Sequence, residues 1–418
     1  MNKFSKILIA AMLPLQSLLA QDHTKLDETV SRFRELYNTK HNEQVSEMFS
    51  DRIKKALPAQ KVTEMLNQLY NQYGEMKSYA FEKETNGAGY YRVAFANGEL
   101  TLAAAVNDEK KLDAFRFLPA QSAAAQKSDF VYKTQGGKLY GTFSIPQGDD
   151  PVPVVLIIAG SGPTDRNGNQ DVVTGNTYRM IADSLKKAGI ATLRYDKRGV
   201  GESAGAMKDE SSMRFEDMVN DAAGIIAELK EDKRFSSVFV LGHSEGSLVG
   251  MMAAAKEPVN GYISVAGLAN PADKIIVRQI AAQSEELSLK AAFILDSLQN
   301  GKTITDPGGE LSTLFRPSVQ PYIKSWIKYD PQTEIRKLKI PVLIVQGTTD
   351  LQVPESEAIT LREAYPTATL KIIKGMNHVL KEAPADRAKN MATYSMPDLP
   401  LSPGFPVALV QFVRGVKK

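Results

Sequence analysis

The amino-acid sequence predicts an α/β protein built on a mostly parallel sheet, with a smaller α+β domain ahead of it. From Val152 onward, short apolar runs alternate with amphipathic segments of helical period, which is typical of parallel strands joined by crossover helices. Residues 22–120 show a different order, with helical patterns first and alternating strand patterns afterwards. A segment rich in Ala, Gln and Ser, residues 121–127, separates the two regions. We therefore expect domains at 22–120 and 128–418.

The first region has the pattern of helices packed on one face of an antiparallel sheet. Apolar residues recur at helical spacing over 26–37 and again over 62–69. Alternating apolar residues lie on both sides of Asn97-Gly98, a dipeptide favoured in tight hairpin turns, and they predict an antiparallel pair of strands. No cluster of catalytic groups appears in this region.

The second region begins with a predicted hairpin, 130–132 and 139–143, joined through Gly136-Gly137. Alternating strands and helices follow it. The strands are expected near 153–159, 190–195, 237–242, 260–265, 340–346 and 368–373. The helices are expected near 176–188, 214–231, 245–256 and 354–365.

One connection is too long for a simple crossover. About seventy residues separate the strand ending at Val265 from the one starting at Ile340, and 275–282 and 287–298 have helical patterns. We expect an inserted helical cap, at about 270–335, over the C-terminal edge of the sheet. A pair of ordinary surface helices with a long loop is the alternative.

The third strand leads into G-H-S-E-G at 242–246, and a helical pattern follows at once. A strand, a sharp turn and a helix around G-x-S-x-G predict a nucleophile elbow, in which a strained backbone exposes the serine hydroxyl. Glycines at 242 and 246 fit because side chains there would collide across so tight a turn. Ser244 is therefore the candidate nucleophile. A glycine-rich turn without chemistry is the alternative.

A serine hydroxyl needs a base to take its proton, and an imidazole is the usual one. The chain has four histidines. His23 lies next to the predicted export signal, His41 lies in the first domain, and the His243 side chain should point away from the Ser244 hydroxyl because it is inside the elbow. Elimination leaves His378, in a loop after the last predicted strand, as the base.

The base in turn needs a carboxylate to hold its tautomer, and Asp350 follows a predicted strand at the C-terminal end of the sheet. Alone, Asp350 could equally be a turn or helix-capping residue. The chain order Ser244, Asp350, His378 places three complementary groups at three strand ends, which makes coincidence improbable.

The tetrahedral oxyanion of acyl transfer needs two backbone N–H donors. One should be Glu245, directly after the nucleophile, and the other should come from the G-S-G-P loop at 160–163. Pro163 has no N–H, so Ser161 is the expected second donor, with Gly162 as the alternative. Nearby, Asp196 and Arg198 are expected to form a structural ion pair.

Composition limits the remaining function classes. A net charge of +3 over 418 residues gives no indication of nucleic acid as a partner. No His/Asp/Glu grouping has ligand spacing, so neither a metal nor another cofactor is expected. The chain has no cysteine, which excludes thiol catalysis and disulfides.

Residues 1–20 have the pattern of a secretory signal peptide: basic Lys3 and Lys6, an apolar centre, and a small residue, Ala20, at a plausible cleavage site. An N-terminal membrane anchor is the alternative, but the apolar run is short and Pro14 interrupts it. We expect an exported periplasmic or extracellular protein without a stable membrane anchor. The oligomeric state stays open.

Together the second region's motifs resemble the α/β-hydrolase family, specifically secreted bacterial serine esterases. The matching stretches are GSGPTDRNGN at 160–169, YDKRGVGES at 195–203, GHSEG at 242–246, IPVLIVQGTTDLQVP at 340–354 and GMNH at 375–378. Residues 22–120 resemble a small domain of unknown function that often precedes such hydrolases. One departure is Ala159-Gly160, where many relatives have His-Gly.

The resemblance implies an α/β-hydrolase sheet with a helical cap and a carboxylic ester hydrolase that acts on a small-molecule ester through an acyl-enzyme. A peptidase or acyltransferase could use the same triad, because the triad does not select the leaving group. A non-catalytic binding protein on a hydrolase scaffold is the alternative from another class.

Overall fold

A computed structural model of the chain describes residues 23–85, 87–119, 128–170 and 173–416. Contacts divide the chain into two compact units, residues 1–125 and 126–418. The predicted signal peptide, residues 1–20, and the predicted linker, residues 121–127, lie outside the described residues.

The described residues of the first unit form four helices and one antiparallel sheet, whose strands lie side by side in chain order. The helices are α1 His23–Asn38, α2 Asn42–Glu47, α3 Asp51–Ala56 and α4 Ala59–Tyr73. The strands are β1 Met76–Thr85, β2 Ala88–Phe95, β3 Gly98–Val106 and β4 Leu112–Pro119. Helical residues such as Phe33 and Val62 share one core with Val93 and Leu102 of the sheet. The α+β expectation for this unit is confirmed.

The second unit is built on an eight-stranded mixed sheet in the order β12-β11-β10-β9-β7-β8-β6-β5. Its strands are β5 Phe130–Lys133, β6 Lys138–Ser144, β7 Val152–Ile158, β8 Ala191–Tyr195, β9 Phe235–His243, β10 Gly261–Val265, β11 Val342–Gly347 and β12 Thr369–Ile373. Strands β7 to β12 run parallel, while β6 pairs antiparallel with β8 and with β5 at one edge. The four central strands are buried on both faces, as expected of parallel strands between helical layers.

Helices cover both faces of this sheet. They are α5 Thr177–Lys187, α6 Phe215–Glu231, α7 Glu245–Lys256, α8 Ala272–Ala281, α9 Glu285–Gln299, α10 Ser312–Phe315, α11 Gln320–Trp326, α12 Pro331–Ile335, α13 Glu355–Ala364, α14 Arg387–Ala392 and α15 Gly404–Gly415. Side chains of α6, α7 and α13 enter one core, and those of α5 and α15 enter the core on the opposite face.

Helices α8 to α12 lie between β10 and β11, where the sequence predicts an inserted cap. Residues of α8, α9, α10 and α11 share a hydrophobic cluster of their own, which includes Ile276, Leu295, Phe315 and Ile323. Helix α12 differs, because Ile335 belongs to the core beneath the sheet. The long connection is therefore a helical insertion with its own packing.

Candidate active site

The turn between β9 and α7 has the geometry of a nucleophile elbow. Ser244 has φ of 55° and ψ of −122°, a backbone conformation that a residue with a side chain adopts only under strain. A Cβ at Gly242 would come within 2.1 Å of the Gly246 carbonyl oxygen. A Cβ at Gly246 would lie 2.5 Å from the carbonyl oxygens of Ile158 and Ala159. Any side chain at Gly242 or Gly246 would therefore collide with backbone atoms that lie against the turn.

Asp350 and His378, which the sequence places in different loops, are joined by a hydrogen bond. The Nδ1–H of His378 donates to Oδ2 of Asp350 at 2.9 Å. Because Nδ1 carries that proton, Nε2 of the neutral ring is left as an acceptor. The backbone N–H groups of Gln352 and Val353 donate to the other carboxylate oxygen at 2.8 and 2.9 Å. Burial favours the neutral acid, but the charge of His378 and these hydrogen bonds outweigh it and lower the pKa of Asp350.

The loop that carries His378 is anchored by buried amide side chains. Asn377 is fully buried, and its Oδ1 accepts the N–H of Lys381 at 3.0 Å. Its Nδ2 donates to Asn390 at 3.1 Å and to Thr393 at 2.8 Å, both in the α14 region. These bonds fix the loop on a part of the fold that the sequence analysis did not connect with the site.

His243, inside the elbow, joins the elbow to the His378 loop. Its Nε2–H donates to the backbone oxygen of His378 at 2.9 Å, so Nδ1 accepts the hydroxyl proton of Tyr178 at 2.9 Å. The same hydroxyl accepts the N–H of Gly160 at 3.1 Å. Burial, with the nearby charge of His378, lowers the pKa of His243 to about 3, which keeps the ring neutral. The His243 side chain therefore links the elbow to the His378 loop and, through Tyr178 of α5, to Gly160.

The expected oxyanion donors lie at the ends of β7 and β9. In the described part of the chain, the N–H groups of Glu245, Ser161 and Gly162 donate to no protein acceptor. Gly160 lies against the elbow, since a Cβ built on it would be 3.2 Å from the Ser244 Cβ. Ser161 directly follows Gly160 in the chain, and Gly162 is one residue further along.

A buried lysine, Lys197, contacts both the loop after β7 and the residue that follows the nucleophile. Lys197, just after β8, donates from Nζ to the carbonyl oxygen of Gly160 and lies 3.9 Å from Oε2 of Glu245. The other oxygen of Glu245 accepts the hydroxyl of Tyr322, on helix α11 of the insertion, at 2.6 Å. Burial and the neighbouring Glu245 carboxylate raise the pKa of Tyr322 well above its usual value, so the phenol remains a donor.

The expected ion pair between Asp196 and Arg198 is wrong. Asp196 instead pairs with Arg166 at 2.7 Å, and both side chains are buried. Arg198 pairs with Asp221 of α6 at 2.6 Å. The physical reason is that neighbouring side chains on this loop leave in different directions, and each finds a buried partner distant in sequence. The Arg166 pair ties the loop after β7 to the loop after β8.

Within the described ranges, no group of three His, Cys, Asp or Glu side chains could hold a metal ion. No helix in that part of the chain is long and apolar enough to cross a membrane.

A known protein family matches the part of the second unit that contains the elbow. The family described as Hydrolase_4, serine aminopeptidase S33, matches residues 173–305, a segment that includes the whole elbow. The second unit has an α/β-hydrolase fold, with a mostly parallel sheet and a nucleophile elbow at Ser244. Residues 30–115 match a second family, described as a protein of unknown function, DUF3887.

Among individual proteins, esterase EstD of Thermotoga maritima is 27% identical over 371 residues, covering 85% of this chain and 88% of that protein. Monoglyceride lipase of Rattus norvegicus is 26% identical over 278 residues, covering 63% of this chain and 88% of that protein. The structure of Est1E from Butyrivibrio proteoclasticus with ferulic acid bound aligns at a TM-score of 0.44 and 20% identity, over 63% of this chain and 94% of that chain.

The sequence analysis missed Tyr178, Lys197 and Tyr322, which contact the site through single polar atoms. Lys197 had a usable signal, because it lies in the YDKRGVGES stretch at a strand's C-terminal end. Tyr178 and Tyr322 are 65 and 77 residues away from their hydrogen-bond partners His243 and Glu245. No local pattern indicates such pairs.

Proposed function

We propose that this α/β-hydrolase cleaves carboxylic esters through an acyl-enzyme, with Ser244 as nucleophile, His378 as base and Asp350 orienting the base. The observation that carries the proposal is the 2.9 Å hydrogen bond from His378 Nδ1 to Asp350, in a loop held directly against the serine elbow by His243. The rings of His243 and His378 lie 4.9 Å apart. Similarity to an esterase over 85% of the chain supports esters as the substrate class.

Acylation follows from the tautomer that Asp350 selects. The Ser244 oxygen attacks the ester carbonyl carbon while Nε2 of His378 takes the hydroxyl proton. The imidazolium that forms is stabilised by the ionised Asp350, whose lowered pKa keeps it charged. Collapse of the tetrahedral species breaks the bond to the alcohol, which leaves with the proton from His378.

The negative oxygen of the tetrahedral species requires N–H donors that are not already engaged. We assign the N–H groups of Glu245 and Ser161 to this role, because neither has a protein acceptor in the described residues. Glu245 directly follows Ser244, and Ser161 directly follows Gly160, which lies against the Ser244 Cβ. In deacylation, water replaces the alcohol, His378 takes its proton, and the carboxylic acid departs as Ser244 regains its hydrogen.

A peptidase is the second candidate, because the matching family is described as a serine aminopeptidase. The same triad would serve, but an amine is a poorer leaving group than an alkoxide. Parallel rates on an acyl ester and the matching acyl anilide separate the two activities. We expect the ester to be cleaved much faster.

The direct test replaces Ser244 by alanine and measures kcat/KM on p-nitrophenyl acetate and butyrate. We expect a fall of about 10⁴-fold or more, since the nucleophile is lost. Ser184→Ala is the matched control, because the Ser184 hydroxyl on α5 donates to the Met180 carbonyl oxygen, away from the elbow. Near-normal hydrolysis by the Ser244 variant would refute the assignment.

We also propose that the protein is exported and needs no cofactor. The basic and apolar pattern of residues 1–20 supports export. N-terminal sequencing of protein from a periplasmic fraction should begin at or near Gln21. Hydrolysis should be unchanged by a chelator, because the chemistry assigned to Ser244, His378 and Asp350 uses no metal.

A further inference from the structure

We propose that Lys197, Glu245 and Tyr322 form a positioning chain that sets both N–H donors of the oxyanion hole and connects them to the cap. None of the three side chains is assigned a chemical step. The inference rests on the acyl-enzyme function proposed above. Three observations support it. Lys197 orients the peptide between Gly160 and Ser161, the Lys197 charge compensates the Glu245 carboxylate, and Tyr322 of α11 donates to that carboxylate.

The orientation concerns the peptide between Gly160 and Ser161. In a trans peptide the C=O of one residue and the N–H of the next point in opposite directions. Lys197 Nζ donates to the Gly160 oxygen, so the Ser161 N–H is held on the side of the peptide away from the lysine. Because Gly160 also lies against the Ser244 Cβ, this bond fixes the peptide that adjoins the nucleophile.

The charge concerns Glu245 itself. A carboxylate directly after the nucleophile lies beside the place where the oxyanion develops, and like charges repel strongly where water is excluded. The Glu245 side chain is only 4% exposed, so solvent cannot screen it. Lys197, 3.9 Å away and 13% exposed, supplies the compensating positive charge. In the described residues the Glu245 N–H itself has no protein acceptor.

The cap contact is made by Tyr322. Its hydroxyl donates to Glu245 Oε1 at 2.6 Å, and its ring packs against Phe215 of α6 and Trp326 of α11. The cap thus touches the residue that provides an oxyanion donor. A displacement of α11 would break the hydrogen bond to the Glu245 carboxylate and leave only its ion pair with Lys197.

The neighbouring Tyr329 offers a matched control. Its hydroxyl donates to Glu216 at 2.7 Å, and its ring packs on the same Phe215. Tyr329→Phe therefore removes a tyrosine-to-glutamate hydrogen bond from the same aromatic cluster without touching Lys197 or Glu245. It should match Tyr322→Phe in any general loss of stability.

The test compares two inhibitors on the full-length enzyme. An alkyl trifluoromethyl ketone adds the serine hydroxyl and forms a tetrahedral oxyanion, whereas the matched methyl ketone binds as a ground-state ligand. If the three side chains position the oxyanion donors, replacing one of them lowers the affinity for the trifluoromethyl ketone much more than the affinity for the methyl ketone. A merely structural role lowers the fraction of folded enzyme and affects both alike.

For Lys197→Met we expect kcat/KM and trifluoromethyl ketone affinity to fall together by about 10- to 100-fold, below the loss of a whole donor. Methyl ketone affinity should stay within about twofold, as expected for a loss confined to the transition state. Adding Glu245→Gln to Lys197→Met should restore part of the loss, because it removes the uncompensated charge. Tyr322→Phe should lower trifluoromethyl ketone affinity by about three- to tenfold, as for one hydrogen bond, and Tyr329→Phe should not.

If Lys197→Met does not fold, the positioning role is decided by comparing the ketone affinities of Tyr322→Phe with those of Tyr329→Phe. Unchanged selectivity between the two ketones in the folded variants would overturn the positioning chain, while wild-type hydrolysis that depends on Ser244 would leave the proposed function intact. A wild-type enzyme insensitive to the trifluoromethyl ketone, with Ser244→Ala as active as wild type, would instead overturn both.

Discussion

At the residue scale, His243 shows how a titratable side chain can be structural. Both ring nitrogens are used, one as donor to the His378 carbonyl and one as acceptor from Tyr178. Protonation would require Nδ1 to become a donor, so the bond from the Tyr178 hydroxyl would have to reverse. Burial, the main cause, lowers the pKa of His243 from 6.5 to about 3.

This shift predicts a specific loss of stability in acid. Between pH 6.5 and about 3 the unfolded chain binds a proton at His243 that the folded protein does not. The stability contribution is therefore fully present above pH 6.5 and is lost as the pH falls toward 3. We expect the free energy of unfolding to fall by about 1.4 kcal/mol per pH unit more in wild type than in His243→Gln.

Urea unfolding followed by tryptophan fluorescence between pH 4 and 6 measures this difference. Trp326 is the single tryptophan of the chain, so the signal reports the second unit. Equal slopes for wild type and His243→Gln would show that the histidine does not stay neutral in the folded protein.

Single residues also show where inference from sequence ends. Ser244, Asp350 and His378 could be selected because each chemical role has few candidates, and the structure joins two of them by a hydrogen bond. Their catalytic roles stay predictions. The true partners of Asp196 and Arg198 could not be found, because ion pairs between loops depend on side-chain direction in the fold. Lys197 could not be given its contacts for the same reason.

At the element scale, the strand, elbow and helix around Ser244 act as one unit whose spacing is set by glycine. Gly246→Ala would place a Cβ 2.5 Å from two carbonyl oxygens of β7 and its following residue. Backbone cannot yield as a flexible side chain would, so we expect the variant to lose about 1–3 kcal/mol of stability. Urea unfolding with Trp326 fluorescence measures it.

Gly205→Ala is the matched control for that change, because a Cβ at Gly205 meets no atom within 4 Å. It should be neutral or slightly stabilising, since alanine narrows the unfolded ensemble. Equal stability of Gly246→Ala and Gly205→Ala would contradict the close approach of α7 to the end of β7.

Elements with regular periodicity were predictable, and irregular ones were not. The expected strand at 237–242 corresponds to β9, and the expected helix at 214–231 corresponds to α6. Strand β1 was missed because two register shifts interrupt its alternation. Helix α15 was missed because prolines at 397, 400, 403 and 406 indicate a loop, although the helix covers one face of the sheet.

At the scale of the whole molecule, the two units have separate hydrophobic cores. Every group named in the candidate site lies in residues 126–418. We therefore expect residues 128–418, expressed alone, to fold and to keep kcat/KM for p-nitrophenyl acetate within about threefold of the full chain. A fall of about tenfold in a folded fragment would show that the first unit contributes to the site.

The measurement that tests the central claim most directly is labelling of the native protein with a fluorophosphonate, followed by mapping of the modified peptide. Trypsin should release residues 235–256, which contain four serines, and fragment ions should place the adduct on Ser244. Heat-denatured protein should not react, because an unactivated serine is a poor nucleophile. Rapid labelling at Ser244 in the native state alone is the predicted result. Absence of labelling, or an adduct on another residue, would contradict a serine hydrolase built on Ser244, His378 and Asp350.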